Sequence, residues 1–284
     1  MVQGTSGDRE DLVPDLEEIE VPLLLDGVYR RYGYDFRDYA QASLRRRLRE
    51  CMRADKVGTV SAFQERVLRD PACMERFVLA LSINVTAMFR DPSLYVTLRQ
   101  KVVPVLRTYP YVRIWHAGCS TGEEVYSVAI LLQEEGLYER CKIYATDMNG
   151  AVLDKARAGI FPLAAMQDYT TNYVQTGGQR PFSEYYTAKY ENAIFSPLLK
   201  KNIVFAEHNL VTDGSFNEFN LILCRNVMIY FNKDLQDRVH RLLYDSLGNL
   251  GYLSLGSKES IKFTALEDRY EVVDPSDEVY RKVR

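Results

Sequence analysis

A glycine-containing loop is the part of the sequence whose residue types point most directly to ligand chemistry. Residues 113–124 read RIWHAGCSTGEE, in which a short apolar run meets Gly118 and a helix is expected to begin at Glu123. Small residues let the backbone approach a ligand closely, and a helix start offers unpaired N–H groups. Asp147 ends the next apolar run, where a carboxylate can bind both hydroxyls of a ribose. Gly118 and Asp147 therefore predict an adenosine-type cofactor, and a tight turn with a capping aspartate is the alternative.

Two glutamates discriminate between cofactors of this type. Glu123 and Glu124 stand where the pyrophosphate of a dinucleotide binds, and two carboxylates repel a diphosphate. A cationic ligand such as a sulfonium is favoured there instead, so the sequence predicts S-adenosylmethionine rather than NAD. The alternative is that both glutamates only stabilise a helix N-terminus.

Two phosphate-binding motifs are excluded at the same loop. No Gly-Lys-Ser/Thr follows the glycines, so the loop is not a nucleotide P-loop. His116 and Cys119 match part of a cysteine phosphatase loop, but Val125 and Tyr126 stand where an arginine is needed to clamp the phosphate. We therefore expect Cys119 to be a buried loop residue.

Polar pairs follow two further apolar runs. Asn209 and Leu210 come after the third predicted strand, and Arg225 and Asn226 come after the fourth. Ligands of open α/β sheets bind beyond the carboxyl ends of the strands, so both pairs are expected at the crevice that contains the glycine loop. A salt bridge with a cap is the alternative for the Arg-Asn pair.

The elements that must position these residues change in rhythm near residue 110. Residues 22–107 favour helices, because apolar residues recur at helical spacing between Pro-containing breaks. Beyond them, short apolar strands alternate with helices, which predicts an α/β fold with a doubly wound parallel sheet. Residues 160–202 interrupt this alternation and predict a small β excursion. The predicted strands are 112–116, 142–146, 203–207, 221–224 and 251–255, with 270–273 and 279–283 as a closing antiparallel pair.

Composition excludes several classes of protein. The chain has 284 residues, of which 46% are hydrophobic and 26% charged, and this balance suits a large core rather than disorder. No apolar run approaches the ~18 residues of a membrane span, and the acidic start lacks the features of a secretory signal. Five scattered cysteines and three histidines give no metal-binding spacing. We therefore expect a cytoplasmic protein without a metal.

The charge of the chain is unevenly distributed. Residues 29–107 carry sixteen basic and eight acidic side chains, so this block is expected to face an anionic partner, either nucleic acid or an acidic protein surface. Arg45, Arg49 and Arg53 are four residues apart, with Arg46 beside them, and line one face of a predicted helix. A solvated surface is the alternative.

Several motifs, taken in order, resemble the CheR family of S-adenosylmethionine-dependent chemoreceptor methyltransferases. They are NVTAMFR, WHAGCSTGEEVYS, ATDMNGAVLDKARAGIF, HNL and CRNVMIYF, and the likeness extends from about residue 25 to 283. The residues themselves predict an acidic flexible lead-in at residues 1–21, a helical domain at 22–107 and an α/β domain at 108–284. The resemblance implies that the helical domain docks the substrate, and that the α/β domain is a class I methyltransferase domain with an inserted β-subdomain at about 180–203. It also implies transfer of a methyl group to glutamate side chains of receptor cytoplasmic coiled coils. We expect a monomer that does not bind nucleic acid or insert into a membrane.

The resemblance further implies roles for individual residues. Arg90 and Tyr230 match positions near methyl transfer. The charge and spacing of Arg45, Arg46, Arg49 and Arg53, rather than the resemblance, predict that they dock a glutamate-rich receptor helix. Met88 replaces one of two aromatic residues that usually precede the motif arginine, and LGSKES stands where His-Ser-Glu is common after the glycine. The implied cofactor contacts are Asn84, Thr86, Arg90, Glu124, Asp147, Asn209, Leu210, Arg225 and Asn226.

Two other functions use part of the same pattern. A nucleic-acid methyltransferase has a similar core, but it usually carries an Asn/Asp-Pro-Pro-Phe/Tyr segment beside a pocket for a flipped base, and CRNVMIYF contains no proline pair. A receptor-binding adaptor without activity would have lost Asp147 or Glu124, and both are present.

Overall fold

The chain divides between Leu81 and Ser82 into two units, called here the helical unit and the sheet unit. The structure, a computed structural model, describes residues 15–82 and 86–283. The division falls earlier than the expected boundary at residue 107. The reason is that residues 92–106 belong to the core of the sheet unit, in which Leu98 and Leu106 are buried together with the first strand.

Four helices form the described part of the helical unit. They are α1 (Leu16–Tyr32), α2 (Gln41–Ala54), α3 (Val60–Arg69) and α4 (Pro71–Leu81). Helix α1 packs against α3, and α4 packs against both α2 and α3. Phe63 and Phe77 meet edge to face between α3 and α4, with ring centroids 5.5 Å apart.

Helix α1 begins within the segment that was expected to be a flexible lead-in. Asp15 caps the helix, because its side chain accepts the N–H of Glu17 at 3.4 Å. Glu17 and Glu18 lie in the first turn, where their negative charges interact favourably with the positive end of the helix dipole and stabilise the helix. Residues 16–21 are therefore helical, and residues 1–14 lie outside the described part of the chain.

Ten strands are described in the sheet unit. They are β1 (Val112–Ala117), β2 (Cys141–Asp147), β3 (Ile160–Pro162), β4 (Tyr186–Lys189), β5 (Asn192–Phe195), β6 (Ile203–Glu207), β7 (Phe219–Cys224), β8 (Leu247–Leu255), β9 (Tyr270–Asp274) and β10 (Val279–Lys282). Seven of them form one sheet in the order β6-β2-β1-β7-β8-β10-β9. Its neighbours are parallel except at β10, which is antiparallel to β8 and β9. The predicted doubly wound sheet and its closing antiparallel pair are confirmed.

The helices of the sheet unit follow the predicted alternation. They are α5 (Pro92–Thr97), α6 (Val103–Leu106), α7 (Glu123–Glu134), α8 (Gly150–Ala158), α9 (Met166–Gln175) and α10 (Lys233–Ser246). A π-helical stretch, Leu98–Val102, separates α5 from α6. Pro104 explains the break, because it has no N–H to donate and its ring crowds the preceding turn. Among the described residues, no helix is long and apolar enough to cross a membrane.

A small antiparallel sheet, in the order β3-β5-β4, is inserted between α8 and β6. The expected β-subdomain at 180–203 is displaced at both ends. Ile160–Pro162 contributes the first strand by pairing with β5, and Ile203 already belongs to β6 of the main sheet. The buried Glu134 of α7 accepts hydrogen bonds from Tyr185 and from the N–H of Gln179, which fix the inserted segment to the core.

The carboxyl ends of β1, β2, β6 and β7 lie along one edge of the main sheet, because these strands are parallel. From β1 the chain crosses to β2 on one side, while β7 lies on the other side of β1. A reversal of this kind leaves a crevice above the strand ends, and this crevice is where ligands of such sheets bind.

Candidate active site

The glycine loop, residues 118–122, leaves β1 through a sharp turn. The N–H groups of Gly118 and Cys119 both donate to Thr146 O, at 2.9 and 2.8 Å. Gly118 has a φ of +79°, and a Cβ there would lie 2.5 Å from Val227 Cγ2. A side chain at this position would push the loop away from the segment that follows β7, so a glycine is required.

Asp147, the last residue of β2, contacts this loop directly. Its Oδ2 accepts the N–H of Ser120 at 2.9 Å, and its Oδ1 accepts the N–H of Asn149 at 3.1 Å. The residue is 8% exposed, and burial raises the pKa of its carboxyl group. The structure thus brings Asp147 and the glycine loop together at the edge of the sheet.

Arg225 connects three segments of the site through its guanidinium. Nη1 donates to Glu124 Oε2 at 3.0 Å, Nη2 donates to Asp91 Oδ2 at 2.6 Å, and Nε donates to Leu255 O at 3.3 Å. Glu124 Oε1 lies 3.0 Å from His116 Nδ1. We call Asp91, Glu124, Arg225 and His116 the ion cluster. The salt bridge that sequence reasoning left as an alternative for Arg225 is therefore present.

The ion cluster changes the interpretation of the two glutamates. Burial alone would raise the pKa of Glu124, but the contacts with His116 and Arg225 lower it to about 2. Glu123 Oε2 instead accepts a hydrogen bond from Thr121 at 2.6 Å, and burial raises its pKa. The two glutamates do not form the open negative pair that was expected. The carboxylates of Glu124 and Asp91 share the single guanidinium of Arg225.

The segment that carries Arg90 is held in an unusual backbone conformation. Phe89 and Asp91, on either side of Arg90, have φ values of +52° and +54°, in the left-handed region that non-glycine residues rarely adopt. The N–H of Phe89 donates to Ser127 Oγ of α7 at 2.9 Å. Thr86, at the start of this segment, is half-buried, and Asn84 lies outside the described residues.

The remaining predicted residues lie on loops after β6 and β7. Asn209 forms a turn in which its side-chain oxygen accepts the N–H of Val211 at 3.0 Å, and Leu210 beside it is half-buried. Both follow the outermost strand on their side, which is separated from β1 by β2. Asn226 has a φ of +60°, and Tyr230 ends the short 3-10 turn Met228–Tyr230.

Comparison with known proteins identifies the family. The protein-family model described as the CheR methyltransferase SAM binding domain matches residues 84–277. The family model described as the CheR methyltransferase all-alpha domain matches residues 19–82. The chain belongs to the CheR methyltransferase family. S-adenosylmethionine is its cofactor, and the chain is an S-adenosylmethionine-dependent methyltransferase.

Several relatives align with this CheR-family chain over most of their own length. Cher3 of Pseudomonas putida is 51% identical over 265 residues, which cover 93% of this chain and 97% of Cher3. A chemotaxis protein methyltransferase of Listeria innocua is 29% identical over 252 residues, covering 88% of this chain and 93% of the relative. One of Salmonella typhimurium is 30% identical over 241 residues, covering 82% and 81%.

The donor set of the CheR-family chain fits this cofactor. The glycine loop, against which Val227 packs closely, and the buried carboxylate of Asp147 at the end of the next strand suit an adenosyl group. The carboxylates at this edge, those of Asp91, Glu124 and Asp147, suit a sulfonium or an ammonium group better than a diphosphate. Cys119 is buried, as expected, and burial raises the pKa of its thiol.

Sequence reasoning missed three residues that shape the site. From the sequence, Asp91 has no assigned role, His116 is considered only in an excluded phosphatase motif, and Glu259 is included only within the segment LGSKES. The available signal for Asp91 was its position directly after the motif arginine, together with the carboxylate partners that a buried Arg225 requires. No local pattern marks Glu259.

The predicted arginine stripe forms an exposed face of α2. Leu44 and Leu48 are buried on the other side, as their spacing predicts. Arg49 pairs with Glu17 at 2.7 Å and Arg46 pairs with Glu50 at 3.6 Å, so two of the four arginines already have carboxylate partners. Arg53 is exposed and Arg45 is half-buried.

The lowered pKa of Glu124 predicts how the stability of the chain depends on pH. A folded-state pKa of about 2, below the ordinary value of 4.5, means that Glu124 stabilises the fold fully above about pH 4.5. This contribution is lost as the pH falls toward 2. We expect the free energy of unfolding, measured with urea, to decrease across that window in the wild type and to decrease less steeply in Glu124→Gln.

Glu139→Gln is the matched control, because Glu139 lies at the surface and pairs with the exposed Lys201. It should retain the slope of the wild type. An identical slope in Glu124→Gln would mean that the ion cluster does not hold Glu124 in its charged form.

Proposed function

We propose that this chain transfers the methyl group of S-adenosylmethionine to glutamate side chains of chemoreceptor cytoplasmic helices, in chemotaxis-type signalling. The observation that carries the proposal is that relatives named chemotaxis protein methyltransferases align across both units of this chain. The exposed arginines of α2 support an acidic helical substrate.

The cofactor is proposed to occupy the crevice above β1, β2 and β7. Asp147 would accept hydrogen bonds from the ribose hydroxyls, and the glycine loop at Gly118 would lie against the adenosyl group. Bound there, S-adenosylmethionine supplies an electrophilic methyl group on a sulfonium. The further proposed contacts are Asn84, Thr86, Arg90, Glu124, Asn209, Leu210, Arg225 and Asn226.

The proposed reaction needs no general base. An ionised acceptor carboxylate forms the new C–O bond while the C–S bond of the donor breaks, and the electron pair of that bond goes to sulfur. The products are a glutamate methyl ester and S-adenosylhomocysteine, and no proton is transferred. His116 and His208, the histidines at this edge, are 1% and 8% exposed, which agrees with a reaction that does not use them as bases.

Arg90 and Tyr230 are proposed to orient the acceptor. Correct orientation of two reactants can supply several kcal/mol of the barrier reduction. The Arg90 guanidinium would steer the carboxylate, and the Tyr230 hydroxyl would donate a hydrogen bond to it. Charge disappears in this transition state, so a very tight ion pair with Arg90 would stabilise the ground state and slow the reaction.

Arg45, Arg46, Arg49 and Arg53 are proposed to dock the acidic receptor helix. Glu17 and Glu50 already pair with Arg49 and Arg46, and the exposed Arg46–Glu50 pair can be exchanged at little cost in free energy. Complementary charge of this kind acts mainly on the rate of association.

Transfer of a radiolabelled methyl group to receptor fragments tests the reaction. We expect label on glutamates that mild alkali releases, since esters are base-labile. Tyr230→Phe should lower kcat by about 10- to 100-fold through misorientation of the acceptor, with unchanged affinity for S-adenosylhomocysteine. Tyr190→Phe is the matched control, because Tyr190 is 86% exposed in the inserted sheet, and it should keep wild-type kcat.

Two outcomes would contradict this proposal. Alkali-stable label on tRNA or DNA, with none on receptor fragments, would make the chain a nucleic-acid methyltransferase. Full turnover by Tyr230→Phe would remove the proposed role of that hydroxyl.

Charge reversal on α2 tests docking. The double variant Arg46→Glu, Arg53→Glu should raise KM for receptor fragments by about tenfold at low salt, and high salt should reduce this difference. The value of kcat should stay unchanged. Arg69→Glu on α3, also exposed, is the control in the same unit and should behave as the wild type. An unchanged KM in the double variant would show that this face does not dock the substrate.

A further inference from the structure

Glu259 is a buried carboxylate that binds only backbone N–H groups in the contacts the structure describes. Its Oε2 accepts from Asn226 N and Gly256 N, both at 2.7 Å, and its Oε1 accepts from Met228 N at 2.7 Å and Ile229 N at 3.2 Å. The residue is 6% exposed. Burying an ionised carboxylate is costly, so four charge-assisted hydrogen bonds at one side chain indicate a specific structural demand.

Three of these N–H groups belong to the segment that follows β7. The N–H groups of Met228 and Ile229 open the 3-10 turn that ends at Tyr230, so Glu259 caps that turn. The N–H of Asn226 belongs to a residue in the left-handed region. Glu259 thus holds both a strained residue and the turn that carries the proposed catalytic tyrosine.

The loop after β8 fits closely around the same segment. A Cβ at Gly256 would lie 2.7 Å from Glu259 Oε2 and 2.8 Å from Asn226 N, so only glycine allows the approach. From α10, the side chain of Gln236 donates to Met228 O at 3.0 Å and to Phe231 O at 3.2 Å. Residues 226–231 are therefore held from two elements.

Val227, between the capped residues, packs against the glycine loop at Gly118. A displacement of residues 226–229 would therefore shift the glycine loop as well as Asn226 and Tyr230.

We propose that Glu259 is a positioning residue for methyl transfer, which fixes Asn226 toward the cofactor and Tyr230 toward the acceptor through the backbone of residues 226–229. This proposal rests on the proposed function, because that function assigns Asn226 and Tyr230 to cofactor and acceptor.

Glu259→Gln tests the proposal with almost no change in shape. The amide has one acceptor oxygen, and its NH2 group must face either the Gly256 and Asn226 donors or the Met228 and Ile229 donors. We expect kcat to fall by about 10- to 100-fold, because small displacements of reacting groups reduce the rate by factors of this size. We also expect Kd for S-adenosylhomocysteine to rise. Glu267→Gln, on the same loop, changes an exposed carboxylate that accepts the N–H of Phe263, and it should leave both values unchanged.

A purely structural role would give a different result. It would lower the thermal unfolding midpoint of Glu259→Gln but leave kcat and Kd unchanged at a temperature where circular dichroism shows the variant folded. That result would overturn the proposal. If Glu259→Gln does not fold, Glu259→Asp keeps the charge with a shorter reach, and wild-type kcat and Kd in that variant would overturn the proposal equally.

A double-mutant cycle with Asn226→Ala isolates the route of the effect. If Glu259 acts through Asn226, its effect on S-adenosylhomocysteine affinity largely disappears in the Asn226→Ala background, and full additivity would contradict this route.

Measuring the Kd for S-adenosylhomocysteine also separates the proposed methylation of receptor glutamates from the proposed positioning role of Glu259. A wild-type chain that binds S-adenosylhomocysteine but does not methylate receptor fragments refutes the acceptor assignment, while the Kd values still test Glu259.

Discussion

A single buried guanidinium, shared by two carboxylates, holds the site together. Arg225 binds Glu124 and Asp91, which are 101 and 134 residues away in the sequence. An isolated buried charge costs several kcal/mol, so the folded chain needs both carboxylates in place around Arg225. The end of β7 is thereby fixed to the start of α7 and to the segment that carries Arg90. The planar fork of arginine suits this double contact, which a lysine cannot make.

Strained backbone gathers around this cluster. Four non-glycine residues on the loops at this edge have φ between +51° and +60°: Phe89, Asp91, Ser120 and Asn226. Each such residue costs of order 1 kcal/mol and persists only where its surroundings fix it. Here side chains of the core supply the constraint, through contacts from Ser127, Arg225, Asp147 and Glu259 respectively. The sheet thus provides a rigid base on which unusual loop conformations bring cofactor and acceptor groups together.

Local sequence patterns predict the helices and strands. The unit boundary, the extent of the inserted sheet and the partners of Arg225 depend on contacts between residues far apart in the sequence, so local patterns do not predict them. Strand β6 and the loop at Gly118 follow from neighbouring residues, and their predicted positions agree with the structure. The boundary at residue 107 and the β-subdomain at 180–203 are displaced, because packing of 92–106 on the sheet and pairing of β3 with β5 are long-range. The site shows the same limit. Arg225 stands out as a polar residue after an apolar run, but nothing nearby in sequence identifies Asp91 as its partner.

Binding of S-adenosylhomocysteine to Arg225→Lys tests the central claim most directly. Lysine keeps the positive charge but has one ammonium group, which cannot bridge Glu124 and Asp91 as the guanidinium does. If the shared guanidinium organises the cofactor site, calorimetry should give a Kd at least about tenfold above that of the wild type, the loss expected for one charged hydrogen bond. Arg113→Lys, on the exposed start of β1, should bind as the wild type does. A wild-type Kd in a folded Arg225→Lys protein would contradict the account.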